Sequence, residues 1–272
     1  MKRYFYFCLI PFGFAVACSS RTLAIDPNVI ILKDNNFEKE LIAKNIDSDG
    51  IVNGQITKAD AEGVKVLSLP NLHIKSLAGI EGFQSLTYLD CSLNQIQEID
   101  VSQNTFLESF DCSSNLLIKI DLTTNLNLMA FNCGNNQLKE LVVKSNQLTA
   151  INANNNLLAS ISIEASSRLM LLYLSNNQLK TLNLNSNSSL TELKCNSNKL
   201  SLIDVSKNTK LRYLDVSNNA LTNLQLCNNI NILKLICSSN NISEIIISKN
   251  VKTLFTEKTA LIDSKTTYSI CD

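Results

Sequence analysis

Between Leu86 and Asn250 the apolar positions of the chain recur at a fixed spacing. Aligned copies begin at Leu86, Leu107, Leu128, Leu148, Leu169, Leu190, Leu211 and Ile232, with a step of 21 residues everywhere except the 20 between Leu128 and Leu148. Places 4 and 6 of each copy are apolar or small with polar neighbours, as in Leu89-Asp90-Cys91 and Leu214-Asp215-Val216. That alternation predicts a short strand with one buried face. Places 14 and 16 repeat it, in Ile99-Asp100-Val101, Ile120-Asp121-Leu122 and Ile203-Asp204-Val205. Each turn is therefore expected to carry two extended segments on opposite sides, joined by tight corners with little room for helix. A fixed period in this range signals a solenoid. Stacked at a strand spacing of roughly 4.8 Å, eight turns make a rod about 38 Å long.

Polar residues mark the corners. Place 9 is asparagine in every copy: Asn94, Asn115, Asn136, Asn156, Asn177, Asn198, Asn219 and Asn240. A corner leaves backbone donors and acceptors near the core, and an inward carboxamide can pair with both kinds. Place 19 reads as a second column, Asn104, Asn125, Asn146, Asn187, Asn208, Asn229 and Asn250, broken by Ser166. Both columns are read as structural ladders rather than ligand sites.

The phrase L-x-x-L-x-(C/L)-x-x-N-x-L-x-x-(I/L)-x-(V/L)-x-x-N resembles the leucine-rich repeat, in the short bacterial form of internalin-like surface proteins and exported lipoproteins. The resemblance covers about three-fifths of the chain. It implies a β-rich leucine-rich-repeat solenoid with parallel strands on one or both sides of the coil. Function follows only loosely, because repeat scaffolds host many partners.

The flanks complete the organisation: a leader at 1–17, a tether at 18–28, a helical cap at 29–63, the solenoid at 64–250 and a C-terminal cap at 251–272. Lys2 and Arg3 precede the apolar stretch Tyr4–Val16, which is too short to span a bilayer. Ala15-Val16-Ala17-Cys18 then resembles a bacterial lipobox, which implies lipidation of Cys18 and a membrane anchor; an ordinary signal peptide cut nearby is the alternative. Several acyl chains anchor stably where one is marginal. Ser19 and Ser20, with no aspartate beside the cysteine, imply by the same resemblance an outer-membrane lipoprotein of the cell envelope, with its side of the membrane open. In the cap, Asn35-Asn36-Phe37-Glu38 reads as a capping box, with Asn35 the cap and Glu38 reaching back. Phe37 and Leu41 then share an apolar face that lids the open end of the coil.

Asn45-Ile46-Asp47-Ser48-Asp49-Gly50 looks like the start of an EF-hand loop. Its twelfth place is Ile56 where a bidentate glutamate belongs, and Asp60 reaches only after an insertion. The favoured reading is a turn between cap helices, with no cofactor. Asn45, Asp47, Asp49 and Asp60 are the residues calcium would use. His73 is the only histidine, and no nucleophile motif accompanies it, which argues against an enzyme.

Composition narrows the partners. Lys+Arg and Asp+Glu are equal at 24 each, so no bulk charge favours nucleic acid. Of nine cysteines, Cys91, Cys112, Cys133, Cys195 and Cys237 all hold place 6. All five read as small core residues; stacked rungs set neighbouring Cβ atoms about 4.8 Å apart, whereas a disulfide wants about 3.8 Å, so Cys91, Cys112 and Cys133 are expected to be free thiols. Pairing of Cys227 with Cys271 is left open.

A binding surface is expected on the sheet formed by places 3, 5 and 7. Tyr88, Asp90, Asp111, Leu171, Tyr173, Lys194, Tyr213, Asp215 and Ile236 are its candidate contact residues. Tyrosine is enriched at interface anchors, and Asp90 above Asp111 stacks like charges on neighbouring rungs. Scattered surface apolars and solvated carboxylates are the bland alternative. The chain thus reads as a non-catalytic, monomeric, envelope-anchored recognition module for a protein. The alternatives are a periplasm-facing scaffold or a glycan binder using Tyr88, Tyr173 and Tyr213, the last opposed by the scarcity of aromatics.

Overall fold

The computed structural model describes residues 26–257 and 259–271. Nine parallel strands of three residues stack in chain order into one long sheet. They are Val66–Ser68, Tyr88–Asp90, Ser109–Asp111, Ala130–Asn132, Ala150–Asn152, Leu171–Tyr173, Glu192–Lys194, Tyr213–Asp215 and Lys234–Ile236. Register is exact from rung to rung: Leu89 pairs with Phe110, Phe110 with Phe131, Phe131 with Ile151 and Leu193 with Leu214. The 20-residue step is absorbed without a slip. Val66–Ser68, ahead of the first copy at Leu86, adds one more full rung.

The core is a set of columns. Leucine or isoleucine at place 1, apolar groups at places 4 and 6 and leucine or isoleucine at place 11 are buried in every rung. Phe110 stacks on Phe131 with ring centroids 5.6 Å apart. The place-6 cysteines lie inside this core, and all five are free thiols. They serve as small apolar residues.

The opposite side is less regular than the alternation predicts. Strands form there at Glu140–Val142 paired with Ser160–Ser162, and at Leu224–Leu226, Glu244–Ile247 and Thr267–Ile270 in a second ladder. The middle residue of the pattern at place 15 separates the two outcomes. Asp100, Asp121, Asn183 and Asp204 each accept the backbone N–H two residues on, at 2.8–3.1 Å, and their rungs carry no strand on this side. Val142, Ser162, Gln225 and Ile246 hold the place in the four rungs that do. A short polar side chain that closes a turn on its own backbone competes with the ladder.

The asparagine columns supply the corners. Asn115 accepts from Ile96 N–H at 3.0 Å and donates to the carbonyls of Cys91 and Cys112. Asn156 does the same with Leu138, Cys133 and Ala153, and Asn240 with Leu221, Val216 and Cys237. In the second column, Asn104, Asn125, Asn187, Asn208 and Asn229 are fully buried and donate to carbonyls of the preceding rung. Two assignments to that column are corrected. Asn146 is exposed, and Ser145 takes its place, donating to the carbonyls of Leu126 and Leu128. The corner is set by its distance to the next place-1 leucine, and the short step moves it one residue back. Asn250 is also exposed, because the chain leaves the coil there through the turn Lys249–Val251 and the short helix Lys252–Thr256.

The N-terminal cap pairs Val29–Ile31 antiparallel with Gln55–Thr57 and lays the helix Asn35–Ala43 over the first rung, burying Phe37 and Leu41. The predicted capping box is replaced. Asp34, in extended conformation, caps the helix by accepting from Asn36 and Phe37 N–H. Its other oxygen accepts from Lys75 and Ser76, which ties the cap to the solenoid. Glu38 turns inward instead and accepts the N–H groups of Asn53, Gly54 and Gln55. At the other end, Cys227 and Cys271 form a disulfide that secures the last strand.

Candidate binding face

The open face of the long sheet carries places 3, 5 and 7. Strand alternation sends these side chains outward because places 4 and 6 are committed to the core. The rungs bring the candidate residues into one surface, with Tyr88 paired to Ser109, Tyr173 to Lys194 and Asp215 to Ile236. Leu171, Tyr173, Tyr213 and Ile236 are half-buried, and Tyr88 is exposed.

Two regions differ in character. Toward the C-terminal end, tyrosine and lysine interleave along the face. The Lys194 ammonium lies 4.6 Å from the Tyr173 ring centroid and 5.1 Å from that of Tyr213. Lys234 covers Tyr213 at 5.0 Å. Glu192 holds Lys194 at 2.8 Å and pushes its ammonium above the ordinary lysine range. Cations over aromatic faces at these distances are attracted by the ring quadrupole. Sequence reading nominated Tyr173, Lys194 and Tyr213 separately. The place 3, 5 and 7 rule puts Glu192 and Lys234 on this face as well; what it missed is that Lys194 bridges the two tyrosines.

Toward the N-terminal end the face dips into a trough of about 280 Å³ bounded by Tyr88 and Tyr173. Asp111, Asn132 and Asn152 run along it. Burial, then the carboxylates of Asp90 and Asp111, push the Tyr88 hydroxyl above its ordinary range.

The stacked aspartates have a local role. Asp90, Asp111 and Asp215 each accept the N–H two residues on, from Ser92, Ser113 and Ser217, at 2.9–3.1 Å. Asp111 also accepts from the Ser113 hydroxyl and the Asn132 amide. These bonds give the carboxylates a structural reason to stand on adjacent rungs.

In the loop at the cap, two of the carboxylates bond to neighbouring groups of the chain. Asp49 accepts from Ile51 N–H and the Asn53 amide, and Asp60 from the Thr57 hydroxyl. Asp47 is buried, and that burial, then the Asp49 charge, raises its carboxyl to about 6. Asn45 takes a left-handed conformation at φ 56°. Among the described residues, no three His, Cys, Asp or Glu side chains come together to hold a metal ion. His73 is exposed. Cys18 lies outside the described residues.

No family model matches the chain, and no curated protein does. Solved structures resemble it. The functional domain of InlJ from Listeria monocytogenes, described as including a cysteine ladder, shares 23% identity with a TM-score of 0.61, over 89% of this chain and 61% of that one. Internalin C2 from Listeria monocytogenes strain 4b F2365 shares 17% over 89% of this chain and 95% of that one, at a TM-score of 0.56. YopM, a leucine-rich effector protein from Yersinia pestis, shares 27% over 61% of this chain and 56% of that one, at 0.50. The chain thus spans about three-fifths of the InlJ domain. The fold is a leucine-rich-repeat solenoid.

Proposed function

We propose that this chain is a non-catalytic recognition protein of the bacterial cell envelope, held to the outer membrane by lipid on Cys18, and that it binds a protein partner on the open face of the long sheet. The observation that carries the reading is the cluster of Tyr173, Lys194, Tyr213 and Lys234. Its side chains are already ordered by mutual contacts, so binding costs little further side-chain entropy. Half-buried tyrosines on a rigid platform are the residue type that dominates interface energetics. Ile236 adds an apolar edge to the same patch. The likeness in fold to internalin domains and to a leucine-rich effector is consistent with this use. The Cys227–Cys271 disulfide fits an oxidising, exported setting.

The test is crosslinking on intact cells, comparing the native chain with the Tyr173→Ala/Tyr213→Ala double variant. A discrete crosslinked protein that disappears in the variant supports the reading. An identical pattern from both proteins removes the cluster as the contact surface. Palmitate labelling of the native chain and of Cys18→Ser tests the anchor, and label retained by the serine variant would overturn it. Protease shaving beside a buried periplasmic control decides which side of the membrane the face meets.

A further inference from the structure

We propose that the trough between Tyr88 and Tyr173 is a second binding site on the same face, for a neutral carbohydrate. It adjoins the tyrosine–lysine cluster on its N-terminal side, shares Tyr173 with it, and does not depend on that cluster taking a protein.

Five consecutive strands build it. Between Tyr88 and the Leu171–Tyr173 strand, place 3 is held by Ser109, Ala130 and Ala150, so the face drops from ring height to methyl and hydroxyl height. The two tyrosines stand four strand steps apart, roughly 19 Å along the sheet at the usual spacing. Both line the same depression of about 280 Å³. Lys194 lies over the Tyr173 ring, and Tyr173 lines the trough.

The floor is polar in a particular way. Asp111, Asn132 and Asn152 succeed one another at place 5 on paired strands. Asn132 accepts from Gly134 N–H and donates to Asp111, and Asn152 accepts from Asn154 N–H. Among the described residues, the Asn152 amide nitrogen donates to no protein group. Carboxamides offer donors and acceptors side by side, which suits hydroxyls that both give and accept.

Charge selects among polar ligands. Among the described residues no cation lines the trough, and the neighbouring Lys194 is held by Glu192. An anionic sugar would meet the Asp111 carboxylate with nothing to neutralise it. A cationic peptide would meet only this one carboxylate, which already accepts from Ser113 through one oxygen and from Asn132 through the other, beside two neutral carboxamides, and the lysine-rich peptide in the test decides that alternative. A protein anchor residue would need a deep apolar pocket, and the floor is alanine, serine and amide. A neutral sugar ring presents an apolar C–H face to a tyrosine and hydroxyls to an amide row.

The test is calorimetric titration of the full chain with short neutral oligosaccharides of glucose, galactose, mannose and N-acetylglucosamine, beside an oligouronate and a lysine-rich peptide. At least one neutral series binds and the oligouronate does not. Tyr88→Ala and Asn152→Ala each weaken binding about tenfold or more, equivalent to about 1.4 kcal/mol. Ala130→Trp fills the trough while removing no polar group, and it abolishes binding. Tyr213→Ala, outside the trough, leaves sugar affinity unchanged, which separates this site from the protein-binding reading. Thermal melts of each variant confirm an intact fold. Failure of every neutral oligosaccharide to bind, wild-type affinity in Ala130→Trp, or the lysine peptide binding in the sugar's place overturns the assignment.

Discussion

Cys227 and Cys271, 44 residues apart in sequence, are joined by a disulfide that fastens the strand Thr267–Ile270 to the end of the coil. A closed loop of that length stabilises by roughly 2–4 kcal/mol through restriction of the unfolded chain. Cys271→Ser should therefore lower the unfolding midpoint. Hydrogen exchange should show the loss concentrated in residues 244–271, leaving the N-terminal rungs protected. Uniform loss along the rod would show that the C-terminal cap and the coil unfold as one unit.

The five column cysteines should behave oppositely. Each is buried, and burial drives its thiol upward, to about 12 for Cys237 and well above the ordinary thiol range for Cys112. The thiolate is the reactive form. Alkylation under native conditions should leave Cys91, Cys112, Cys133, Cys195 and Cys237 unlabelled, and denaturant should expose all five. Mass spectrometry of tryptic peptides reads the result, and a native disulfide within the column would contradict the rung register.

The corner columns make a paired prediction. Asn115→Ala removes the partner of Ile96 N–H inside the core, while the Cys91 and Cys112 carbonyls keep their bonds from Asn94 and Asn136. An unsatisfied buried group costs about 1–3 kcal/mol, so a loss of about 2 kcal/mol is expected by urea denaturation. Ser145→Ala should also destabilise, whereas Asn146→Ala, at an exposed position, should stay within about 0.5 kcal/mol of wild type. Equal effects at 145 and 146 would refute the displaced corner.

Asp47 links the N-terminal cap to pH. Its carboxyl is raised to about 6 in the folded chain by burial and by Asp49, against about 3.9 when unfolded. Between these values the folded state holds the proton more tightly than the unfolded one. Stability therefore falls as pH rises from about 4 to about 6 and is level above, with a total of about 3 kcal/mol as an upper bound. Urea midpoints at pH 5 and pH 7.5 measure the difference, and Asp47→Asn should flatten it. An unchanged pH dependence in that variant would place the titration elsewhere.

Much of this architecture could be read from spacing alone. The leucine and asparagine columns predict the coil, its buried faces and its first asparagine ladder, because each rung repeats the same local problem of burying an apolar face and turning a corner. The outward faces of the strands follow from the same alternation, so Tyr88, Tyr173, Lys194 and Tyr213 could be placed on one surface before any coordinates.

Contacts between rungs decided the rest. Counting forward from Leu128 puts Asn146 at the corner, but packing counts backward from Leu148 and selects Ser145. Glu38 satisfies every local rule for a capping box, yet three backbone N–H groups fifteen to seventeen residues away claim its carboxylate. Asp111 looks like a repelling charge until its bonds to Ser113 and Asn132 are seen. The Lys194 bridge between two tyrosines and the shallow floor beside Tyr88 depend on which residues meet across 21-residue steps. A repeat determines the environment of a position by itself; the neighbour that fills that environment comes from the next turn, and only the stacked structure brings the two together.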